Sequence, residues 1–452
     1  MVSVHFDDVR GKHLLIALSG GTDSVALTLL LKAAAGECDL KLTAAHLNHM
    51  IRGADADADA AFCQELCDRL GIPLITERID VPALARTRHV GLETAARDAR
   101  HDFLARSRQR CGADYITLAH HMNDQAETVL MHLLRGAGTD GVCGMCRLSG
   151  RLYRPLLDVS KEDLVAYLRK KGVAWREDAT NQEADTARNE LRLNVIPRLE
   201  SCYPASVRAI ARFAAHAQIE RDYLDIETEK YLARCRDEGA YGCRLRLNEK
   251  PHEAILRRAI RRIVGRDLTS AKLDELITMC HLARGKTEIS GELRAEKAPT
   301  AIYFLPKRCR VFPAVTFNPD GLTVLEGLCR IEAAQGGEIA KDDPTDETLD
   351  AAVLQSALLR TRRDGDRFHP LGAPGDRLLS DYLTDKRIDR PLRDTLPLLA
   401  VGKRVLWVCG VGIADEAKVK DNTRRKLRLK LYYQNKSEDR LHEEGYREDS
   451  DF

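Results

Sequence analysis

The sequence predicts an α/β protein: an N-terminal parallel sheet with helices on both faces, a helical middle domain, and a small α+β C-terminal domain. Three observations carry this. Up to Ala119, short apolar runs alternate with longer segments of helical spacing, the pattern of a parallel sheet whose crossovers are helices. After Pro197 the texture changes, and Ala205–Glu229 and His252–Val264 show helical periodicity with no convincing strand between them. Near the end, Lys426–Tyr432 alternates charged and apolar residues, the period of a half-buried strand.

The first strand is the apolar run Leu14–Leu18. It leads through Ser19-Gly20-Gly21-Thr22-Asp23-Ser24 into a helix over Val25–Ala35. Glycines tolerate positive φ and let a ligand approach the backbone, and the exposed N–H groups of the following helix start favour an anion. A phosphate or pyrophosphate is the natural guest. No lysine follows the glycines, so this is not a Walker-type loop. Further strands are expected at Leu42–Leu47, Leu74–Ile79 and Tyr115–Ala119, with helices over Ala54–Leu70 and Leu92–Arg110. Ligands of such sheets bind beyond the carboxyl ends of the strands. The glycine turn, His46–Arg52 and His120–Asp124 all follow strands and are expected to share one mouth.

The expected organisation is a nucleotide-binding domain over 1–200, a helical domain over 201–335, a linker near Gln335–Glu347 and a last domain over 350–433. The stretch 434–452 is read as a disordered charged tail, with three Lys/Arg against seven Asp/Glu. With 452 residues, 44% hydrophobic and 31% charged, the chain supports several cores. A formal net charge of +2 does not announce a nucleic-acid binder, so RNA contacts must come from local patches. Neither a signal peptide nor a membrane span is expected: Leu396–Ala414 is interrupted by Pro397, Lys403 and Arg404. Thirteen scattered cysteines read as reduced thiols of a cytoplasmic protein.

Three groups carry candidate chemistry. His46 and His49 lack a third ligand of good spacing, so a loop gating the nucleotide site is preferred to a metal; Arg52 either reaches a phosphate or stays a solvated loop arginine. Glu93, Arg97 and Arg100 fall at i, i+4 and i+7 on one helix face, as surface ion bridges or as part of a phosphate-facing surface with Arg86, Arg88, Arg106, Arg108 and Arg110. Asp124 with Glu127 is a capping-box spacing, or a carboxylate pair for Mg²⁺ or an amine. Three strings are set aside. Gly136–Gly141 matches a dinucleotide fingerprint but follows a helix. Gly285-Lys286-Thr287 lacks the first Walker glycine. Cys143 and Cys146 form one CxxC without a second pair.

The Ser19–Ser24 string resembles the PP-loop of ATP pyrophosphatases. Taken with His46–Arg52 and Asp59, Glu93–Leu104, His121–Thr128, Arg135–Met145, Arg154–Leu157 and Asp178–Pro197, it resembles the tRNA(Ile)-lysidine synthetase family. The likeness resumes at Arg363–Phe368, Leu379–Leu383 and Pro391–Leu399, and is weak in the middle helices; Arg377-Leu378 departs from an expected lysine-rich pair. The resemblance implies ATP and Mg²⁺ as cofactors. It implies an isoleucine tRNA with a CAU anticodon and free L-lysine as partners. It implies attack of the wobble cytidine O2 on the α-phosphate, then of the lysine ε-amine on C2, releasing AMP.

By the same resemblance Ser19, Gly20, Gly21, Thr22 and Ser24 bind ATP, and Asp23 serves Mg²⁺ or phosphate geometry. Asp124 and Glu127 hold lysine or metal, and Arg52, Glu93, Arg97, Arg100, Arg188 and Arg192 face tRNA or phosphate. No dedicated protein metal site is expected, and a homodimer is admitted. Two rivals stay open: a PP-loop enzyme that thiolates tRNA cytidine through Cys143 and Cys146, and a non-catalytic tRNA-binding protein on a retained nucleotide fold.

Overall fold

The computed structural model describes residues 4–176, 187–265, 268–307, 312–336 and 343–434. The chain divides into two compact units, the first ending at Tyr223 and the second beginning at Leu224.

In the first unit, strands β1 (His13–Ala17), β2 (Lys41–Asn48), β3 (Leu74–Arg78) and β4 (Tyr115–Thr117) are mutually parallel. A hairpin of β5 (Leu148–Ser149) and β6 (Leu152–Tyr153) extends the sheet, β6 parallel to β4 and β5 antiparallel at the edge. The order is β3-β2-β1-β4-β6-β5. The order reverses at β1, whose neighbours are β2 and β4, and a crevice opens beyond the carboxyl ends at such a point.

Side chains alternate along β1 because successive residues of a strand face opposite ways. Leu14 and Ile16 share a core with α1 (Thr22–Ala34), α2 (Ala54–Leu70) and α6 (Lys161–Lys171). Leu15 packs the other way, on α3 (Val81–Arg88) and α4 (Leu92–Cys111). Helices therefore cover both faces, as the sequence predicts. Beyond the sheet come α5 (Met122–Leu134), α7 (Ala187–Glu190), a π-helical turn at Leu191–Val195 and α8 (Ile196–Cys202). The long α9 (Ser206–Cys235) follows.

The second unit corrects one expectation. Its first part holds the expected helices, including α10 (Glu253–Val264) and α11 (Ser270–Cys280), but strands lie among them. These are β7 (Arg236–Gly239), β8 (Gly242–Arg246), β9 (Gly285–Glu288), β10 (Leu293–Ala298) and β11 (Ala301–Pro306), an antiparallel sheet in the order β7-β8-β11-β10-β9. Gly285-Lys286-Thr287 is thus part of a strand rather than a phosphate loop.

Two further sheets share one core. The first contains β12 (Val315–Thr316), β16 (Leu358–Arg360), β17 (Arg367–Phe368), β18 (Arg377–Leu378), β19 (Leu398–Val401), β20 (Arg404–Val408) and β21 (Gly412–Ile413). The second runs β13-β14-β22-β15, from Leu322–Leu325, Cys329–Gln335, Lys426–Tyr433 and Asp346–Asp350. The expected linker at Gln335–Glu347 is flanked by β14 and β15, which both pair with β22. Residues 337–342 within it, and the expected tail beyond Gln434, lie outside the described residues. Among the described residues no helix is long and apolar enough to cross a membrane.

Candidate active site

The turn after β1 has the geometry of an anion cradle. Gly20 sits at φ +89, a conformation L side chains avoid, and an added Cβ there would lie 3.3 Å from Cys63 Sγ. Gly21 caps α1 in extended conformation, so the first N–H groups of that helix are presented at Thr22, Asp23 and Ser24. Two hydroxyls brace the turn. Ser19 Oγ and Ser24 Oγ are 3.0 Å apart, the Gly21 N–H donates to Ser19 Oγ, and Ser24 Oγ donates to the Gly21 carbonyl at 3.1 Å. Beneath it, His46 Nδ1 donates to the Leu18 carbonyl at 2.9 Å.

The loop after β4 meets this turn. Asp23 Oδ2 lies 3.7 Å from His121 Nε2, and the same nitrogen lies 3.5 Å from Asp124 Oδ2. Asp124 does serve as a cap, since its Oδ2 accepts the His121 backbone N–H at 3.0 Å. Its Oδ1 accepts from Arg192 Nη2 at 3.1 Å. Glu127, one turn on and 1% exposed, is gripped by two arginines: Arg188 Nε at 2.8 Å and Arg192 Nε at 2.6 Å. Arg192 lies in the π-helical turn, a wide turn that recurs at functional sites. Burial alone would raise the Asp124 carboxyl. His121, His120, the His121 backbone N–H and Arg188 outweigh it and hold Asp124 below its usual range.

The candidate residues therefore form one constellation and an outlying group. Asp23, Asp124, Glu127, Arg188 and Arg192 meet at the mouth, where the arginines expected to face phosphate instead neutralise the carboxylates expected to hold lysine or metal. Arg52, partly open to solvent, pairs with buried Asp59 at 2.7 Å. Arg97 and Arg100 are exposed on α4. Glu93 is exposed in the first turn of that helix. Asp178 and Asn181 lie outside the described residues.

Sequence reasoning missed two cations. Arg176 donates through Nε to Asp59 at 2.7 Å and through its backbone to the Gly20 carbonyl at 3.0 Å. Lys161 donates to Asp23 Oδ1 at 2.6 Å. Neither approach has a local sequence signal. Among the described residues no group of three His, Cys, Asp or Glu is arranged to hold a metal. Cys146 Sγ accepts from Arg221 at 3.1 Å, and Cys143 Sγ donates to the Thr139 carbonyl at 3.2 Å.

Two histidines of the mouth stay neutral at pH 7. Burial first, then Arg100, His46 and Arg52, push His49 down to about 4. Burial also takes His120 to about 4 against the pull of Asp124, helped by Arg154, Arg188 and Arg100. An unfolded histidine takes its proton near pH 6.5, whereas these stay neutral until about 4. Their stabilisation is complete above pH 6.5 and is lost as pH falls towards 4. Urea midpoints are therefore expected to fall between pH 7 and pH 5, and to fall less in the His49→Gln, His120→Gln double variant. An equal fall in both proteins would contradict the assignment.

The PP-loop domain model matches residues 2–199, and the TilS substrate C-terminal domain model matches residues 358–430. Relatives described as tRNA(Ile)-lysidine synthase include one from Caldanaerobacter subterraneus subsp. tengcongensis, 31% identical over 92% of both chains. Another, from Geobacter sulfurreducens, is 31% identical over 92% of both. A third, from Thermus thermophilus, is 39% identical over 88% of this chain and 69% of its own.

Proposed function

This chain belongs to the tRNA(Ile)-lysidine synthase family, and from that premise we propose how its residues carry the reaction. The substrates are ATP, free lysine and an isoleucine tRNA with a CAU anticodon. The product is lysidine at the wobble position, with AMP and pyrophosphate. The observation that carries this reading is the meeting of the Ser19–Ser24 turn with the Asp124, Glu127, Arg188 and Arg192 cluster at one strand end.

The turn suits ATP. Its N–H groups and braced hydroxyls receive phosphate oxygens, and the glycine at φ +89 lets the polyphosphate lie against backbone. Asp23 is the carboxylate best placed for Mg²⁺, which binds one or two carboxylates together with substrate phosphates. Held there, such an ion would supply charge neutralisation to the phosphates. The wobble base must be splayed out to reach the mouth, as other base-modifying enzymes require. Its O2 is a poor leaving group until it carries the adenylyl group, and positioning then supplies much of the acceleration for lysine attack.

Charge balance suggests an order of events. Three carboxylates, Asp23, Asp124 and Glu127, face three cations, Lys161, Arg188 and Arg192. A mouth so balanced has little pull on a lysine ammonium. When phosphates draw Arg188 and Arg192 away, Asp124 and Glu127 become its natural partners.

The reading is tested by incubating the full-length protein with ATP, Mg²⁺, labelled lysine and unmodified tRNA, then analysing nucleosides. Labelled lysidine is expected. A thiolated cytidine, or tRNA binding without pyrophosphate release, would replace it with one of the rival readings.

The last domain is proposed to dock tRNA through those of its basic residues that are exposed and unpaired with a carboxylate in the ion pairs that follow. Arg360 is buried against Asp366 at 2.8 Å and unavailable to RNA, while Arg362, Arg404 and Arg425 are paired with Asp394, Glu416 and Asp320. Arg363, Lys403 and Arg424 are exposed. Replacing these three with alanine is expected to weaken tRNA binding and flatten its log–log salt slope by about 0.7–0.9 per lost phosphate contact. ATP affinity is expected to stay unchanged. An unaltered salt slope would remove the docking role from these residues.

A further inference from the structure

The phosphate turn has no lysine in its own sequence, yet a lysine stands at it. Lys161 lies 138 positions beyond Asp23, and its Nζ donates to Asp23 Oδ1 at 2.6 Å. Its backbone is fixed. Lys161 opens α6, its N–H donates to Asn123 Oδ1 at 3.1 Å, and Ser160 caps the helix by accepting the Asp163 N–H at 3.1 Å. The helix is anchored by Leu164 and Leu168, fully buried in the core that also holds Val25 and Leu27 of α1.

The ammonium itself is less constrained. The Lys161 side chain is 37% exposed and that of Asp23 31%. An ion pair so open to water is worth about 0–1 kcal/mol, so it breaks cheaply and is a weak reason for the lysine to be there. What the position does offer is a mobile positive charge with three donors, carried on a flexible stem from a fixed helix beside an anion cradle.

We propose that Lys161 is a phosphate-binding residue of the ATP site. Its ammonium, paired with Asp23 in this structure, lies where it can reach the pyrophosphate portion of a bound ATP, which would leave Asp23 for the metal. A charge that elsewhere follows the glycines in sequence is here delivered from another helix. The proposal rests on the reading of Ser19–Ser24 as the ATP turn.

Calorimetric titration of the full-length protein with ATP, inorganic pyrophosphate and AMP, each with Mg²⁺, tests it. Lys161→Met is expected to weaken ATP and pyrophosphate by about 10- to 100-fold, the worth of one charge-assisted hydrogen bond, and AMP by much less. Lys161→Arg is expected to recover part of the loss. Unchanged affinity for all three would overturn the proposal. So would an equal loss for all three with a lowered melting temperature, which marks a structural role. Lysidine formation by the unsubstituted protein is measured in parallel. ATP binding that depends on Lys161 without lysidine would sustain the proposal and overturn the functional reading, whereas no ATP binding at all would overturn both.

Discussion

Asp23→Ala is expected to lower tRNA-dependent pyrophosphate release by about 10²–10³-fold, the usual cost of removing one preorganised group from a site of developing charge. The stability cost is expected to be small. Asp23 lies in the first turn of α1, where a negative charge contributes about 0.3–1 kcal/mol. Its exposed pair with Lys161 adds about 0–1 kcal/mol. Their combined loss shifts the melting temperature by only a few degrees. A carboxylate beside phosphates is unwelcome unless a cation mediates, so the charge itself is what the reaction needs. Asp23→Asn, which keeps the shape and loses the charge, is expected to match the alanine variant within about tenfold. Pyrophosphate release near that of the unsubstituted protein would withdraw Asp23 from the site.

Much of this site is legible because its chemistry lies in short strings at strand ends. Leu14, Leu15 and Ile16 are fully buried, and a strand buried on both faces reads as an unbroken apolar run. That run places the glycine turn, and the same logic places His46–Asn48 and His120–Asp124. The contacts between strings are not legible. Lys161 reaches Asp23, and Arg176 reaches Asp59 and the Gly20 carbonyl, by approaches that no periodicity encodes. The sequence also shows Arg188 and Arg192 as cations four apart, but not that both close on Glu127.

The missed sheet of the second unit has a different cause. β7 reads Arg236-Asp237-Glu238-Gly239 and offers no apolar alternation, while in β8 only Cys243 and Leu245 point inward. A signal was present in β11, where Ile302-Tyr303-Phe304 combines β-branched and aromatic residues and is fully buried. Arg360 is the opposite case, a buried charge. A charged side chain reads as surface, but Asp366 meets its guanidinium with both oxygens and Gly402 supplies a carbonyl, so the burial is compensated.

Glu127→Gln should separate the two half-reactions. Its carboxylate is nearly inaccessible and accepts three hydrogen bonds from Arg188 and Arg192, so the amide loses both the charge and the fit of one oxygen. Hydrogen bonds to charged groups are worth about 1.5–3 kcal/mol each, but both arginines are about one-third exposed. Water recovers part of that, and a destabilisation of about 1–3 kcal/mol is expected. The larger effect is on lysine. If Glu127 receives the ammonium once the arginines turn to phosphate, the amide should raise the lysine KM by about 10²-fold, the value of one charge-assisted contact in a partly dry site. Pyrophosphate release with tRNA and ATP, which precedes lysine, should fall by less than about tenfold. Asp124→Asn is the contrasting case. Asp124 Oδ2 is committed to the His121 N–H at the start of α5, so its loss should loosen that turn and depress both half-reactions together. A lysine KM unchanged by Glu127→Gln, with pyrophosphate release collapsed, would make Glu127 an anchor for the arginines and leave the lysine site to Asp124.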